Sequence, residues 1–347
     1  MARRRNAALE NVDTHAPDTV TDFTRGVSDV GLAPWQKAGT TLIGESLTYQ
    51  QVLERSGNSF KVATVPAFAK VGDNFIEAKS QRMVIREDTG TVLGTVGTKY
   101  RTIQNETQIQ AISPLVDSGF ATYDTAGYVD NGRIGWVMLK VKQDITLPGN
   151  DRVLSYLMAL WSHAGLISTR FFPSPMRAFC ANVLSSLIAG ATNGITVRHT
   201  SSADQRMAEA ARVIEASNGF YNDFQARATK LMTTRMADSQ MNELVSTLFP
   251  AQEEAGTVKV STRTKNMREK VLDLFVNGAG HETANIRGTA WAGFNAVAEF
   301  ADHHRSTRTT DGQGENEARF QATMMGTGAQ LKAKAIKWID TNVLLVA

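Results

Sequence analysis

The segment FATYDTAGYVDNGRIGWVMLKV, residues 120–141, decides the fold class of this chain of 347 residues. Two runs rich in β-branched and aromatic residues flank the tripeptide Asp130-Asn131-Gly132. An Asn-Gly pair between two such runs is among the strongest local signals for a β-hairpin. Because a hairpin joins antiparallel strands, the segment favours an antiparallel sheet over a doubly wound parallel one.

Strand-like runs lie on both sides of this hairpin. The tetrapeptide EDTG at 87–90 is a turn signal between two of them. Thr48 and Asn105 are predicted N-caps of short helices, which end near Gly57 and Gly119. The predicted strands are KVATVPAF (61–68), NFIEA (74–78), QRMVIRE (81–87), TVLGTVG (91–97), KYRTIQ (99–104), VLSYLMALWS (153–162) and LISTRFFP (166–173).

The pattern becomes helical further along the chain. From Met176 to Ile188 apolar residues recur at helical spacing, which predicts a helix with Cys180 on its apolar stripe. Beyond His199 the chain reads as helical, beginning with a long helix capped by Ser202. Shorter helices are predicted near 238–248, 264–276, 284–304 and 328–344, with a polar Gly-rich loop at 306–316.

We therefore predict an α+β fold: an antiparallel, hairpin-rich sheet with packed helices, followed by a mainly helical C-terminal portion. Residues 1–33 are polar with little periodicity, and we expect them to form a flexible N-terminal arm. Residues 34–200 would form the α+β domain. Residues 201–347 would form the helical portion, which could share the same core.

Composition narrows the functional classes. The net charge of +3 and the pI near 8.9 permit nucleic acid as a partner without demanding it. A single cysteine excludes an intramolecular disulfide and a cysteine-rich zinc site, which fits a reducing cytoplasm. No apolar run approaches the roughly 20 residues that span a bilayer. We therefore expect a cytoplasmic protein without membrane contact.

No catalytic, metal or cofactor motif stands out. The P-loop spacing, the G-x-S-x-G elbow and the dinucleotide-binding fingerprint do not occur, so we assign no catalytic residue and no cofactor. Glu299, Asp302, His303 and His304 lie close together on one predicted helix. Without a second group of ligands, a salt-bridged helix end explains them better than a metal site.

The basic residues of the first 200 positions suggest a nucleic-acid surface. Such a surface needs cations along a phosphate track, and a single strand also needs exposed rings on which bases stack. Between residues 133 and 200, seven Lys or Arg stand against Asp144 and Asp151. Arg82, Val84 and Arg86 alternate onto one strand face, which we expect to look outward, although an ordinary solvated sheet face would show the same pattern. The candidate nucleic-acid-binding residues are Arg82, Arg86, Lys99, Tyr100, Arg101, Arg133, Trp136, Lys140, Arg170, Arg177, Arg198 and His199, with Tyr100 or Trp136 as the rings that stack on bases.

The segment WSHAGLISTRFFPSPMRAFCANVLSSLIAGATNGITVRHT, residues 161–200, joins the two halves. It holds the only cysteine, two of the six histidines and three arginines, without an acidic residue. Cys180 and Asn182 are expected in the core, since both lie among apolar neighbours. The arginines, with His163 and His199, are better suited to hold phosphate than to break a bond.

Several segments together resemble one family. They are Pro34-Trp35, VLGTVGTKYRTIQNETQ (92–108), Trp136, WSHAG (161–165), PMRAFCANVL (175–184), ITVRHTSS (195–202) and GTAWAGFNAVAEFADHHR (288–305). In this order they resemble the phage/plasmid-like proteins grouped as domain of unknown function 932. The family pattern has Asp where Ala164 stands and Gln-Asn where Ala181-Asn182 stands. The resemblance implies a phage or plasmid setting, which is associated with DNA replication or recombination.

The sequence therefore predicts a phage- or plasmid-type DNA-binding protein in recombination or replication that holds the phosphate backbone on a basic sheet face and could anneal single strands. We expect a homo-oligomer, assembled through the long helix that starts at 202. Two alternatives remain open. One is a structural or interaction protein that self-assembles or binds a host factor through its helical half. The other is an enzyme acting on nucleotides or nucleic acid through His163, His199 and the nearby arginines.

Overall fold

A computed structural model describes residues 33–345, except residues 45, 189–193, 204, 208–217, 255–256, 283–285 and 311. The elements before residue 200 are α1 (Pro34–Ala38), β1 (Thr40–Thr41), α2 (Tyr49–Arg55), β2 (Val62–Val71), β3 (Asn74–Arg86), β4 (Val92–Gly97), α3 (Asn105–Gln110), α4 (Ser113–Asp117), β5 (Ala121–Val129), β6 (Ile134–Val141), β7 (Ile145–Leu147), β8 (Asp151–Leu154), β9 (Tyr156–Ser162), β10 (Thr169–Pro173), β11 (Met176–Arg177), β12 (Asn182–Val183) and β13 (Ile195–Val197).

Helices dominate the rest of the chain. The elements are α5 (Asn218–Thr233), α6 (Asp238–Leu248), β14 (Gln252–Glu254), β15 (Thr257–Lys259), α7 (Thr262–Asn277), α8 (Ala290–Glu299), α9 (Glu315–Met324) and α10 (Thr327–Ile339). Helices α8 and α10 each continue into a π-helical turn, at Phe300–His304 and Asp340–Leu344. The predicted arm at 1–32 lies outside the described residues, as do residues 204 and 208–217 of the long helix predicted from Ser202. The later part of that predicted helix is α5.

The predicted hairpin at 120–141 lies at the centre of a six-stranded sheet. Strands β5 and β6 pair antiparallel from Ala121↔Val141 to Val129↔Ile134. Asp130 and Asn131 turn the chain with φ values of 55° and 56°, a conformation that Asn and Asp tolerate better than most residues. The strand order is β1-β5-β6-β9-β10-β13, and every neighbouring pair is antiparallel. The α+β prediction is confirmed.

Two smaller sheets flank the large one. Strands β12-β11-β8-β7 form a four-stranded sheet, and β2-β3-β4 form a three-stranded sheet. Strand β4 pairs with β3 only between Gln81 and Ile85. Beyond that point β2 and β3 continue to a turn at 72–73 as a two-stranded extension, which we call the ribbon (residues 66–80).

Separate apolar clusters fill the space between these layers. One face of the large sheet packs on α2, α3 and α4 around Trp161, while Trp35 and Trp136 lie in a second cluster with Phe320. A third cluster surrounds Trp291 and contains residues of α5, α6, α7, α8 and α10. It also contains five residues from the four-stranded sheet and the segment after it: Ile145, Leu147, Val153, Leu184 and Leu187. The helical portion therefore shares this core with the four-stranded sheet.

The predicted helix from Met176 to Ile188 is wrong. Met176 pairs with Val183 across a short hairpin, Ala181 has a φ of 49°, and a 3₁₀ turn covers Ser185–Ile188. The helical spacing arises because this segment is buried on two sides. Met176 and Val183 lie in the cluster of Trp136, whereas Leu184 belongs to the cluster of Trp291. A hairpin buried on both faces shows no simple alternation, so its apolar residues imitate a helix.

Candidate nucleic-acid interface

Residues 99–101 and 198–199 come together although they are almost 100 positions apart. Arg101 N donates to the carbonyl oxygen of His199 at 3.0 Å, and His199 Nδ1 lies 3.1 Å from Arg101 O. Between them Tyr100 stacks on the His199 ring, with centroids 4.7 Å apart and planes 7° from parallel. The Tyr100 hydroxyl also donates to Ser162 O at 3.3 Å. The two segments are thus held by hydrogen bonds and by a ring stack.

Four exposed cations lie on these segments or on the strand paired beside them. Lys99, Arg101 and Arg198 are exposed, and so is Arg170, whose neighbour across the β10–β13 pair is Thr196. None of the four makes an ion pair with any side chain in the described part of the chain. We call this group, with Tyr100 and His199 beneath it, the basic edge. Its guanidinium groups keep their full set of donors for an external acceptor.

The basic edge rests on a buried polar network. Asn105 Oδ1 accepts from Trp161 Nε1 at 2.9 Å and lies 2.7 Å from His163 Nε2. Because a carbonyl oxygen only accepts, His163 must carry its proton on Nε2. Burial lowers the pKa of His163 to about 3, so its ring is neutral at pH 7. His163 therefore holds Asn105 and Trp161 in place and is shielded from any ligand.

Close backbone packing holds β4 beside the 161–165 segment. A Cβ built on Gly94 would lie 2.6 Å from the Cα of Ala164. Residue 94 therefore has to be small where β4 contacts this loop, and the Lys99–Arg101 segment follows β4 directly. The contact explains why the VLGTVG and WSHAG motifs occur together.

Three of the predicted binding residues are buried: His199, which lies under Tyr100, and Arg177 and Trp136, which have no exposed surface and cannot reach a ligand. Arg177 Nε donates to both oxygens of Asp151, at 2.8 and 3.0 Å, and Arg177 Nη1 donates to Ala279 O at 2.8 Å. Trp136 stacks on Phe320 with centroids 4.8 Å apart and has no exposed surface. The prediction that Trp136 stacks on bases is therefore wrong, and Arg177 instead joins β11 to the helical portion.

The strand face of Arg82, Val84 and Arg86 does not look outward as predicted. Val84 is fully buried, and Arg86 lies 4.0 Å above the Phe60 ring while its guanidinium pairs with Asp88. The face packs on the small apolar cluster of this sheet, which the alternation alone could not reveal. Arg82, Arg133 and Lys140 are each half-buried and paired with an acidic residue, namely Glu77, Asp130 and Asp144 respectively.

The residues considered as a reactive thiol or as metal ligands have structural roles. Burial raises the pKa of Cys180 to about 12, so its thiol is neutral and unreactive. Asp302 pairs with Lys332 at 2.7 Å, and Glu299 Oε1 lies 3.7 Å from His304 Nε2. Among the described residues, no group of three or more His, Cys, Asp or Glu is arranged to hold a metal ion.

Two surface features have no counterpart among the predictions from the sequence. The first is the ribbon, whose tip exposes Phe68, Val71, Phe75 and Ile76; reading β3 as two short strands concealed it. The second is a cavity of about 550 Å³ beside Arg170, between β10, β13 and α10. Its walls combine residues between 170 and 196 with residues between 324 and 333, which lie far along the chain, so no local signal indicates it.

Comparison with known proteins agrees with the motifs. The model of the family described as domain of unknown function (DUF932) matches residues 92–324, more than half of the chain. The chain belongs to the DUF932 family. No curated protein and no solved structure matches the chain.

The matched region of this DUF932 chain contains the whole basic edge, from Lys99 to His199. The ribbon precedes it, and α10 follows it. Within the described ranges of this DUF932 chain, no helix has the length and apolar character needed to cross a membrane.

Proposed function

We propose that this DUF932 chain is a phage- or plasmid-type DNA-binding protein in recombination or replication, and that the basic edge holds the phosphate backbone. The observation that carries the proposal is the gathering of Lys99, Arg101, Arg170 and Arg198. All four are exposed without an ionic partner among the described residues, whereas Arg82, Arg86, Arg133 and Lys140 are paired. Surface cations that are free of local carboxylates are the groups that can exchange counterions for phosphate.

Single-stranded DNA is the preferred ligand, with annealing as the activity. Lys99, Arg101 and Arg198 lie on loop segments and Arg170 lies on β10, so the cations of the basic edge are carried by extended or irregular backbone and not by a recognition helix. We further propose that the protein works as a homo-oligomer in the cytoplasm of a bacterial host, because covering a strand cooperatively requires several copies.

Fluorescence anisotropy with a labelled 20-nucleotide single strand, and with the matching duplex, tests the proposal across a salt series. The test variant is Arg101→Ala/Arg198→Ala. The matched control is Arg263→Ala/Arg308→Ala, which removes two exposed arginines from the helical portion. Loss of two phosphate contacts to a single strand should reduce the slope of log Kd against log salt by about 1.4.

The control variant should keep both the affinity and the slope of the native protein. Binding that stays undetectable at low ionic strength would overturn the proposal, as would equal loss in the test and control variants. Light scattering on the same samples, with and without the strand, measures the oligomeric state.

A second candidate function is favoured by the ribbon. Phe68, Val71, Phe75 and Ile76 are each more than half exposed at its tip, and clustered apolar side chains on a surface mark interaction sites. Under this alternative the protein is an interaction protein that self-assembles or binds a host factor. Replacement of Phe68 and Phe75 by Ser would then change the oligomeric state or partner binding and leave DNA affinity unchanged.

A further inference from the structure

The cavity beside Arg170 has the size of a small-molecule site. Its volume of about 550 Å³ lies within the range of roughly 300–1,000 Å³ that ligand pockets occupy. Strands β10 and β13 form one wall, and the 3₁₀ turn at Ser185–Ile188 and helix α10 form the others. The lining residues include Arg170, Phe172, Ser186, Thr196, Met324 and Gln330.

The lining combines three kinds of group. Phe172 is half-buried and offers a ring, and Met324 adds a polarisable thioether. Thr196 and Gln330 are exposed and bring a hydroxyl and an amide. Arg170 supplies a cation that is paired with no acidic side chain in the described ranges. A ring face, hydrogen-bonding groups and a cation thus meet in one concave surface.

Ser186 adds an independent indication of a ligand. Its Oγ is buried, and no hydrogen-bond partner is found for it among the described residues. Its neighbour Ser185 is satisfied, since its hydroxyl lies 3.1 Å from Ser174 Oγ. A buried hydroxyl without a partner costs free energy. Rotation of the Ser186 side chain toward the cavity would let a bound group form a hydrogen bond with it and recover that cost.

A nucleotide matches this lining better than other common ligands. A planar base can lie against Phe172 while its polar edge bonds to the hydroxyls and to Gln330. A phosphate on the same molecule suits the two parallel donors of Arg170. An acyl chain would offer no hydrogen bond to Ser186 or Thr196, and an uncharged sugar would offer no anionic group to the Arg170 guanidinium.

We infer that this cavity binds one nucleotide, with its base against Phe172 and its phosphate on Arg170. The inference rests on the proposed function, because Arg170 belongs to both the basic edge and the cavity. Thr196 lines the cavity two residues before Arg198, so a strand held at the basic edge passes the cavity mouth. A free nucleotide and a nucleotide of a bound strand share this chemistry.

The experiment uses the full chain and three probes: a labelled oligothymidine strand, a strand of equal length with abasic residues throughout, and free thymidine 5′-phosphate. The test variant Ala329→Trp fills the cavity from α10. The matched control is Thr341→Trp, at an exposed position beyond that helix. Ala329→Trp should weaken binding of the base-containing strand about tenfold and leave the abasic strand within twofold.

Ser186→Ala is a milder second variant, in case the bulky residue perturbs folding; it should weaken binding of the base-containing strand about threefold. The inference would be overturned if Ala329→Trp and Thr341→Trp bound the base-containing strand with equal affinity and Ser186→Ala bound it as tightly as the native protein. The proposed function would survive that result, since both strands would still bind. In a third outcome, neither strand binds, but thymidine 5′-phosphate binds and only Ala329→Trp and Ser186→Ala weaken its binding. This outcome would support the cavity as a nucleotide site and refute strand binding.

Discussion

Two regions of this molecule use the same residue types in opposite ways. At the basic edge, Arg101, Arg170 and Arg198 are exposed and face no carboxylate among the described residues. At the contact between the four-stranded sheet and the helices, Arg177 and Lys332 are fully buried, each on a buried Asp. We call this second region the buried joint. A cation can therefore serve either a ligand or the fold, and its partners decide which.

The buried joint satisfies its charges with backbone as well as side chains. Asp302 accepts from Lys332 at 2.7 Å and from the Val183 N–H at 2.9 Å, while Lys332 also donates to Val183 O at 3.1 Å. Asp151 accepts from Arg177 and from Trp291 Nε1. Burial lowers the pKa of Lys332, and the attraction of Asp302 opposes that shift. Completed networks of this kind fix the register of the parts that they join.

Removing one partner of the buried joint should have the largest effect on stability. Asp302→Asn keeps the shape but leaves the Lys332 ammonium without its counter-charge. We expect a loss of about 3–5 kcal/mol in the free energy of unfolding, measured by urea denaturation. The control Asp73→Asn, at the exposed turn of the ribbon, should change it by less than about 0.5 kcal/mol. A loss below about 1 kcal/mol for Asp302→Asn would show that the pair is not essential to the joint.

Lowering the pH should reduce the free energy of unfolding, because several buried histidines are neutral in the folded protein. Burial lowers the pKa of His163 to about 3, and those of His281 and His303 to about 4. The unfolded chain takes up protons near the ordinary value of 6.5, so stability is lost as pH falls from about 6.5 toward 4. His163 alone should cost about 2 kcal/mol between pH 7 and pH 5.

The variant His163→Gln isolates this contribution, since Gln can still donate to Asn105. It should reduce the difference between the unfolding free energies at pH 7 and pH 5 by about 2 kcal/mol. His304→Gln, at a partly exposed ring, serves as the control. An unchanged difference for His163→Gln would mean that the His163 ring reaches water in the folded state.

Removing a cation from the basic edge should affect binding and not stability. Arg198→Ala is expected to weaken single-strand binding about fivefold at moderate salt, which is about 1 kcal/mol. The free energy of unfolding should change by less than about 0.5 kcal/mol, because Arg198 is exposed. Anisotropy titration and urea denaturation of the same preparation give both values. A stability loss above about 1 kcal/mol would place Arg198 with the cations that serve the fold.

The ribbon should show the smallest effect on stability. Phe75 is 70% exposed, so Phe75→Ser removes little buried surface. We expect the free energy of unfolding to change by less than about 0.5 kcal/mol. The buried Phe60, under Arg86, gives the matched contrast: Phe60→Ala should cost about 3 kcal/mol. A comparable loss for Phe75→Ser would mean that the ribbon tip is covered in solution.

The fold class could be predicted because its evidence is local. The Asn-Gly turn at 131–132 and the alternation around it fix an antiparallel hairpin. Most of the neighbouring strands follow by the same logic, but the predicted strand KYRTIQ (99–104) is wrong, because this segment is irregular. The segment from Met176 could not be predicted in this way. Its conformation depends on Asp302 and Lys332, which lie more than 100 residues further along the chain.

The candidate site was only partly predictable for the same reason. Lys99, Arg101 and Arg198 were found by residue type, but their meeting depends on hydrogen bonds between Arg101 and His199, 98 positions apart. The burial of Arg177 depends on Asp151 and on carbonyl groups near residue 280. Residue type indicates which groups can bind phosphate, and only tertiary contacts decide which remain available.

The placement of the tryptophans has a practical optical consequence. Trp35, Trp136, Trp161 and Trp291 are all shielded from water, and they are divided among the three large apolar clusters. Their emission should therefore move to longer wavelength on unfolding. Chains that keep only Trp161 or only Trp291 would report separately on the large sheet and on the helical core. Comparing their transitions would show whether the two halves melt as one cooperative unit.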